Sequence, residues 1–155
     1  MVRLLTIPHT GTHWLKKLVG RMGVDARHHH LFNELPAWAG KQGCVVTLRD
    51  PLLSRITTLN RDEPYGVEVW RLLIGLDAHF VVLEDPDLVA LAEYVGGRAP
   101  DEVPPPLNVT NHDKGLKAEY MTGVIPDVLQ GDAEWLAEHM TDFFRSHGYD
   151  LPWMP

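Results

Sequence analysis

Apolar positions along the chain alternate between short unbroken runs and helix-spaced stripes. Val2–Ile7 is a run of strand formers closed by Pro8 and predicts a buried strand. Pro8-His9-Thr10-Gly11 then reads as a turn, with Thr12 as the N-cap of a helix. That helix turns Trp14, Leu15, Leu18, Val19 and Met22 inward, leaves Lys16, Lys17 and Arg21 to solvent, and closes at Gly23. Val24–Leu31 predicts a second strand, with His28 and His30 on one face and His29 on the other. Cys44–Leu48 is a third, ending at Arg49-Asp50-Pro51, and Leu52–Asn60 suits a helix entered through a proline. Tyr65–Leu76 predicts a helix with Val67, Trp70, Leu73 and Ile74 inward, Phe80–Leu83 a strand, and Leu88–Val95 a short helix. After a proline-rich loop at 96–106, the stripe Trp135, Leu136, His139, Met140, Phe143, Phe144 predicts a helix over Ala133–His147, stopped by Gly148.

Strands alternating with helices imply an α/β sandwich around a mainly parallel sheet. A length of 155 residues fits one domain over 1–155, and 45% hydrophobic against 23% charged residues excludes wholesale disorder. The single cysteine, Cys44, cannot close an internal disulfide and reads as a small core residue. With no apolar run near the ~18 residues of a membrane helix, the expected setting is the cytoplasm. A net charge of −7 disfavours a general nucleic-acid or anionic-membrane binder. Positive charge for any small anion must therefore be local. Five of the nine histidines lie between His9 and His30, the first sign of where.

In a parallel sheet, ligands bind where strand ends lead into helices. Pro8–Trp14 is such a junction. Gly11 permits a tight turn, the first N–H groups of the helix face the loop, and the Thr10 and Thr12 hydroxyls and the His9 and His13 imidazoles add donors. An anion cradle and a plain strand-to-helix turn both satisfy this pattern. The loop lacks the G-x-x-x-x-G-K-[ST] spacing, which argues against an ATPase or kinase.

Thr6-Ile7-Pro8-His9-Thr10-Gly11-Thr12-His13-Trp14-Leu15 resembles the 5′-phosphosulfate loop of PAPS-dependent sulfotransferases, T-x-P-K-S-G-T-T-W-L. His9 stands in place of the family's catalytic lysine and His13 in place of its second threonine. Val45-Val46-Thr47-Leu48-Arg49-Asp50-Pro51 is similar to the family's 3′-phosphate segment, with Thr57 at the hydroxyl position eight residues after Arg49. Leu83-Glu84-Asp85 and Lys114-Gly115 resemble later family elements.

The resemblance implies a three-layer sandwich of the P-loop NTPase-like sulfotransferase fold. It also implies transfer of a sulfuryl group from 3′-phosphoadenosine 5′-phosphosulfate (PAPS) to a hydroxyl or amine, leaving adenosine 3′,5′-bisphosphate, with no metal required. Pro8, Thr10, Gly11, Thr12, His13, Trp14, Arg49, Thr57, Lys114 and Gly115 would bind the donor, and His9 would replace the lysine as a donor to the leaving phosphate oxygen. The acceptor's base would be His30, then His28, with Glu34 in reserve. The partner is a small-molecule, sugar or protein acceptor, walled by the loops 31–43, 60–65 and 96–106. Alternatives are a nucleotide-binding or interaction module of the same fold without catalysis, and a nucleoside-kinase-like enzyme with a degenerate loop. His28, His30 and Cys44 as metal ligands lack a spacing that marks them as a set. Arg55 is either a second phosphate partner or a solvated helix charge.

Overall fold

The computed structural model describes residues 1–41, 43–105 and 115–155. They pack as two compact units. The first comprises Met1–Arg49 and the described part of 75–109, and the second Asp50–Ile74 and the described part of 110–155.

The first unit carries a four-stranded, all-parallel sheet: β1 (Val2–Thr6), β2 (Ala26–His30), β3 (Cys44–Leu48) and β4 (His79–Val82), in the order β2-β1-β3-β4. Two helices belong to it, α1 (Thr12–Arg21) and α3 (Leu88–Val95). Leu4, Val45 and Val81 point to one face, where they form a core with Trp14, Leu15, Leu18, Val19 and Met22 of the α1 segment and Leu91 and Ala92 of α3. Leu5 and Val46 alternate to the opposite face and are equally buried. Such two-sided burial is what unbroken apolar strands in a parallel sheet demand.

Two of the strands are shorter than their predicted runs and a third is shifted. β1 ends before Ile7, β2 loses both ends of Val24–Leu31, and β4 begins one residue early because His79 pairs with Val45 in the ladder. Thr12 is not the cap of α1. Gly11 takes that position at φ 82°, and no side chain caps the helix.

The second unit is helical: α2 (Pro51–Asn60), α4 (Leu116–Met121) and α5 (Gln130–Ser146), with 3₁₀ turns at Glu68–Leu73 and Asp127–Leu129. The helix expected over Tyr65–Leu76 is reduced to the 3₁₀ turn Glu68–Leu73. Pro64 and Gly66 delay its start, Gly75 at φ 76° ends the segment, and the β-branched Val67 and Val69 disfavour an α-helix. Phe144 of α5 meets Trp70, Tyr149 and Trp153 at ring separations of 5.4, 5.3 and 5.6 Å. Trp135 and His139, expected in the inward stripe, meet at its margin with rings tilted by 37° and centroids 4.6 Å apart.

Two polar ties hold this unit. The buried carboxylate of Asp50 accepts from Leu52 N–H (3.0 Å), capping α2, and from Tyr120 O–H (2.5 Å) and Trp153 Nε1–H (3.2 Å). Arg55 is neither a solvated charge nor aimed at a phosphate group. Its Nε donates to Asp132 at 3.1 Å and its Nη1 to Tyr65 O at 2.6 Å. Among the described residues, no helix is long and apolar enough to cross a membrane.

Candidate functional site

Strand order alone locates a topological switch point in the first unit. The chain leaves β1 for β2 on one side, while β3 lies on the other, so the segments leaving the carboxyl ends of β1 and β3 diverge. Ligands of open parallel sheets bind at such a switch point. The two segments leaving it are Ile7–Gly11 and Arg49.

Hydroxyl groups join the two strand ends. Thr10 Oγ1 donates to Ile7 O at 2.6 Å, which uses its one proton. The 3.0 Å contact between Thr10 Oγ1 and Thr47 Oγ1 is therefore donated by Thr47. Arg49 Nη1 donates to His9 O at 2.9 Å, clamping the turn after β3 onto the turn after β1. His9 itself sits at φ 64°, an uncommon conformation for a residue with a side chain, and histidine is among those that adopt it most readily. Two left-handed residues, His9 and Gly11, thus bracket Thr10 and curl the backbone around the start of α1.

At that start, Leu15 N–H makes the first intrahelical bond, to Gly11 O at 2.8 Å. The N–H groups of Thr12, His13 and Trp14 come before it and carry the positive end of the helix dipole. Thr12 does not cover them with its own hydroxyl, which donates to Thr6 Oγ1 at 2.9 Å. A Cβ on Gly11 would meet Leu83 Cδ1 at 3.0 Å, a tight contact at a φ of 82° that disfavours any side chain there.

Histidines line one side of this turn. Rings of His13 and His28 lie 6.0 Å apart, and those of His28 and His30 5.2 Å apart, both edge-on. Thr6 Oγ1 is 3.4 Å from His30 Nδ1, so the Thr12–Thr6 pair reaches toward the imidazole row. Burial first, then the charges of Lys16 and His13, hold His28 below the ordinary histidine range. Burial first, then His28, His13, His29 and His9, do the same for His30. Every neighbour that perturbs these two rings is basic. In a chain of net charge −7, that is a local concentration of positive potential.

The structure thus brings together Pro8, His9, Thr10, Gly11, Thr12, His13 and Arg49, with His28 and His30 beside them. Trp14 is in the core at 7% exposure, its indole N–H donating to Pro104 O at 2.8 Å, so it can serve the loop only through its backbone. Thr57 lies in the second unit, its hydroxyl donating to Leu53 O at 3.3 Å. Gly115, at φ 83°, precedes α4 in that same unit. Lys114 lies outside the described residues, and Glu34 is exposed in the loop after β2. Cys44 is buried on β3, with β1 between it and the histidines of β2, and burial raises its thiol pKa. Among the described residues, no group of three or more metal-ligating side chains converges.

Thr6 and Thr47 were not among the expected site residues, yet their hydroxyls tie the loop together. Their signal in the sequence is a threonine near the carboxyl end of an otherwise apolar strand. No family model, no curated protein and no solved structure matches this chain.

Proposed function

We propose that the chain is a small PAPS-dependent sulfotransferase of the P-loop-like, three-layer type, in which the His9–Trp14 turn and Arg49 hold the donor's anionic groups. The observation that carries this reading is the Arg49–His9 carbonyl clamp at 2.9 Å. It joins, at one switch point, the two segments whose sequences resemble the family's phosphosulfate and phosphate loops. The fit of the turn to an oxyanion supports it further: backbone N–H groups at an uncapped helix start, a Gly11 in the left-handed conformation, and a forked guanidinium beside them.

The donor supplies an activated sulfuryl group. In the transfer, an S–O bond to the acceptor forms as the bond to the phosphate oxygen breaks, and the electron pair leaves with that oxygen. The N–H groups of Thr12, His13 and Trp14 meet the charge that develops there, while the Arg49 guanidinium holds the donor's 3′-phosphate. His9, in place of the family lysine, donates a hydrogen bond to the departing oxygen. The acceptor's proton goes to His30, whose environment favours the neutral ring. That role requires Nδ1–H to donate to Thr6 Oγ1, leaving Nε2 to accept.

Calorimetric titration with adenosine 3′,5′-bisphosphate tests the binding half. Micromolar affinity, weakened at least about tenfold by Arg49→Ala, is the expected result. No binding by folded protein would sink the reading. A second reading, a binding module without turnover, is favoured by one observation: His9 stands where the resembling family carries its catalytic lysine. Transfer from labelled donor separates the two. An enzyme loses far more turnover than nucleotide affinity in His9→Ala, whereas a module shows no transfer at all.

A further inference from the structure

The imidazole row extends beyond what a donor cradle requires. His28 is exposed on β2, 6.0 Å ring to ring from His13, and Lys16 follows His13 by one turn of α1. Lys16 is also close enough to perturb His28, so these three side chains share one patch. His30, half-buried, lies 5.2 Å farther along the same strand face.

The groups facing this patch can be named element by element. β1 presents Leu4 and Thr6 opposite His28 and His30 and no titratable side chain. α1 presents His13 and Lys16, the turn before it His9, and β2 itself His29. Among the described residues, no carboxylate perturbs either ring. A surface where basic groups repel one another without a counter-ion is destabilised empty and relieved by an anion.

We propose that His13, His28 and Lys16 hold the oxyanion group of an acidic acceptor, a carboxylate or a sulfate or phosphate ester, while the acceptor's hydroxyl or amine is presented at His30. The inference rests on the proposed transfer reaction for the word acceptor. The anion site itself does not. The division of labour follows from exposure: the exposed outer rings and the lysine bind charge, and the half-buried inner ring takes the proton. An uncharged acceptor would leave the outer rings unpaired and be held less well.

The test uses the full chain with the donor turn saturated by adenosine 3′,5′-bisphosphate, and two probes alike but for charge: 4-hydroxyphenylacetate and 4-hydroxyphenethyl alcohol. Histidine ring signals are followed by NMR across pH. The acid is expected to raise the His28 and His13 titration midpoints by about half a unit or more, and the alcohol to leave them in place. Lys16→Gln with His28→Gln should remove the preference for the acid, a fall of about tenfold in relative affinity, with bisphosphate binding retained. If the acid leaves both midpoints unchanged, or the two probes act alike, the inference is wrong. Should bisphosphate fail to bind, the donor reading falls, and the His28 response of the ligand-free chain still decides the anion site.

Discussion

Replacing Asp50 should cost the second unit much of its stability. The carboxylate is buried and accepts from three donors on three segments: Leu52 N–H, Tyr120 O–H and Trp153 Nε1–H. In Asp50→Ala the helix cap is lost, about 1 kcal/mol. The phenol and the indole each lose a buried acceptor, about 1–3 kcal/mol apiece. Water entering the small polar void recovers part of this, so a net loss of roughly 3–5 kcal/mol is expected. Against a total of about 5–15 kcal/mol, that is a large share. With a urea dependence of about 2 kcal/mol/M, the midpoint followed by far-UV circular dichroism should fall by roughly 1.5–2.5 M. Tyr120→Phe removes one donor while the carboxylate keeps the other two, so its loss should be smaller, about 1–2 kcal/mol. Because the two groups touch, the double variant should lose less than the sum of the singles. A midpoint shift under about 0.5 M for Asp50→Ala would refute the reasoning and leave Asp50 with some role other than anchoring this unit.

Other consequences are as direct. Burial first, then the charge and hydrogen bond of Asp50, raise the Tyr120 hydroxyl pKa. The folded chain thus keeps a proton that the unfolded chain loses above about pH 10, and stability should fall as pH climbs past that point, less so in Tyr120→Phe. His28 and His30 are shifted the other way, so the unfolded chain binds more protons as pH drops below about 6.5. Stability should therefore decline on acidification through that range, and His28→Gln should flatten the slope in a thermal-melt series. Gly11→Ala forces a side chain into φ 82° and against Leu83 Cδ1 at 3.0 Å. It should destabilise by about 1–2 kcal/mol in urea titration and weaken bisphosphate binding. Thr47→Val removes the proton given to Thr10 Oγ1 and should loosen the turn, seen as faster amide exchange at Gly11 and Thr12, with less than about 2 kcal/mol lost globally.

Local pattern determined much of this molecule. The run CVVTL marked β3 to the residue, the stripe Trp14, Leu15, Leu18, Val19 chose the buried face of α1, and Pro51 announced the start of α2. These follow from nearest-neighbour physics: side-chain branching, period, and the backbone limits of proline and glycine. The importance of Gly11 was legible for the same reason. Tertiary structure alone decided the rest. Nothing within residues 1–60 says that β1 lies between β2 and β3, and it is that order which creates the switch point. No local signal pairs Thr10 with Thr47 or Arg49 with the carbonyl of His9, since both contacts span some forty residues of chain. Arg55 looked available from its helix position, yet a distant Asp132 holds it, and Asp50 gained its anchoring role only when Tyr120 and Trp153 folded onto it. Periodicity reports which face of an element is dry. Only chain closure determines which polar groups meet there, because the cost of an unpaired buried donor is settled between segments, not within them.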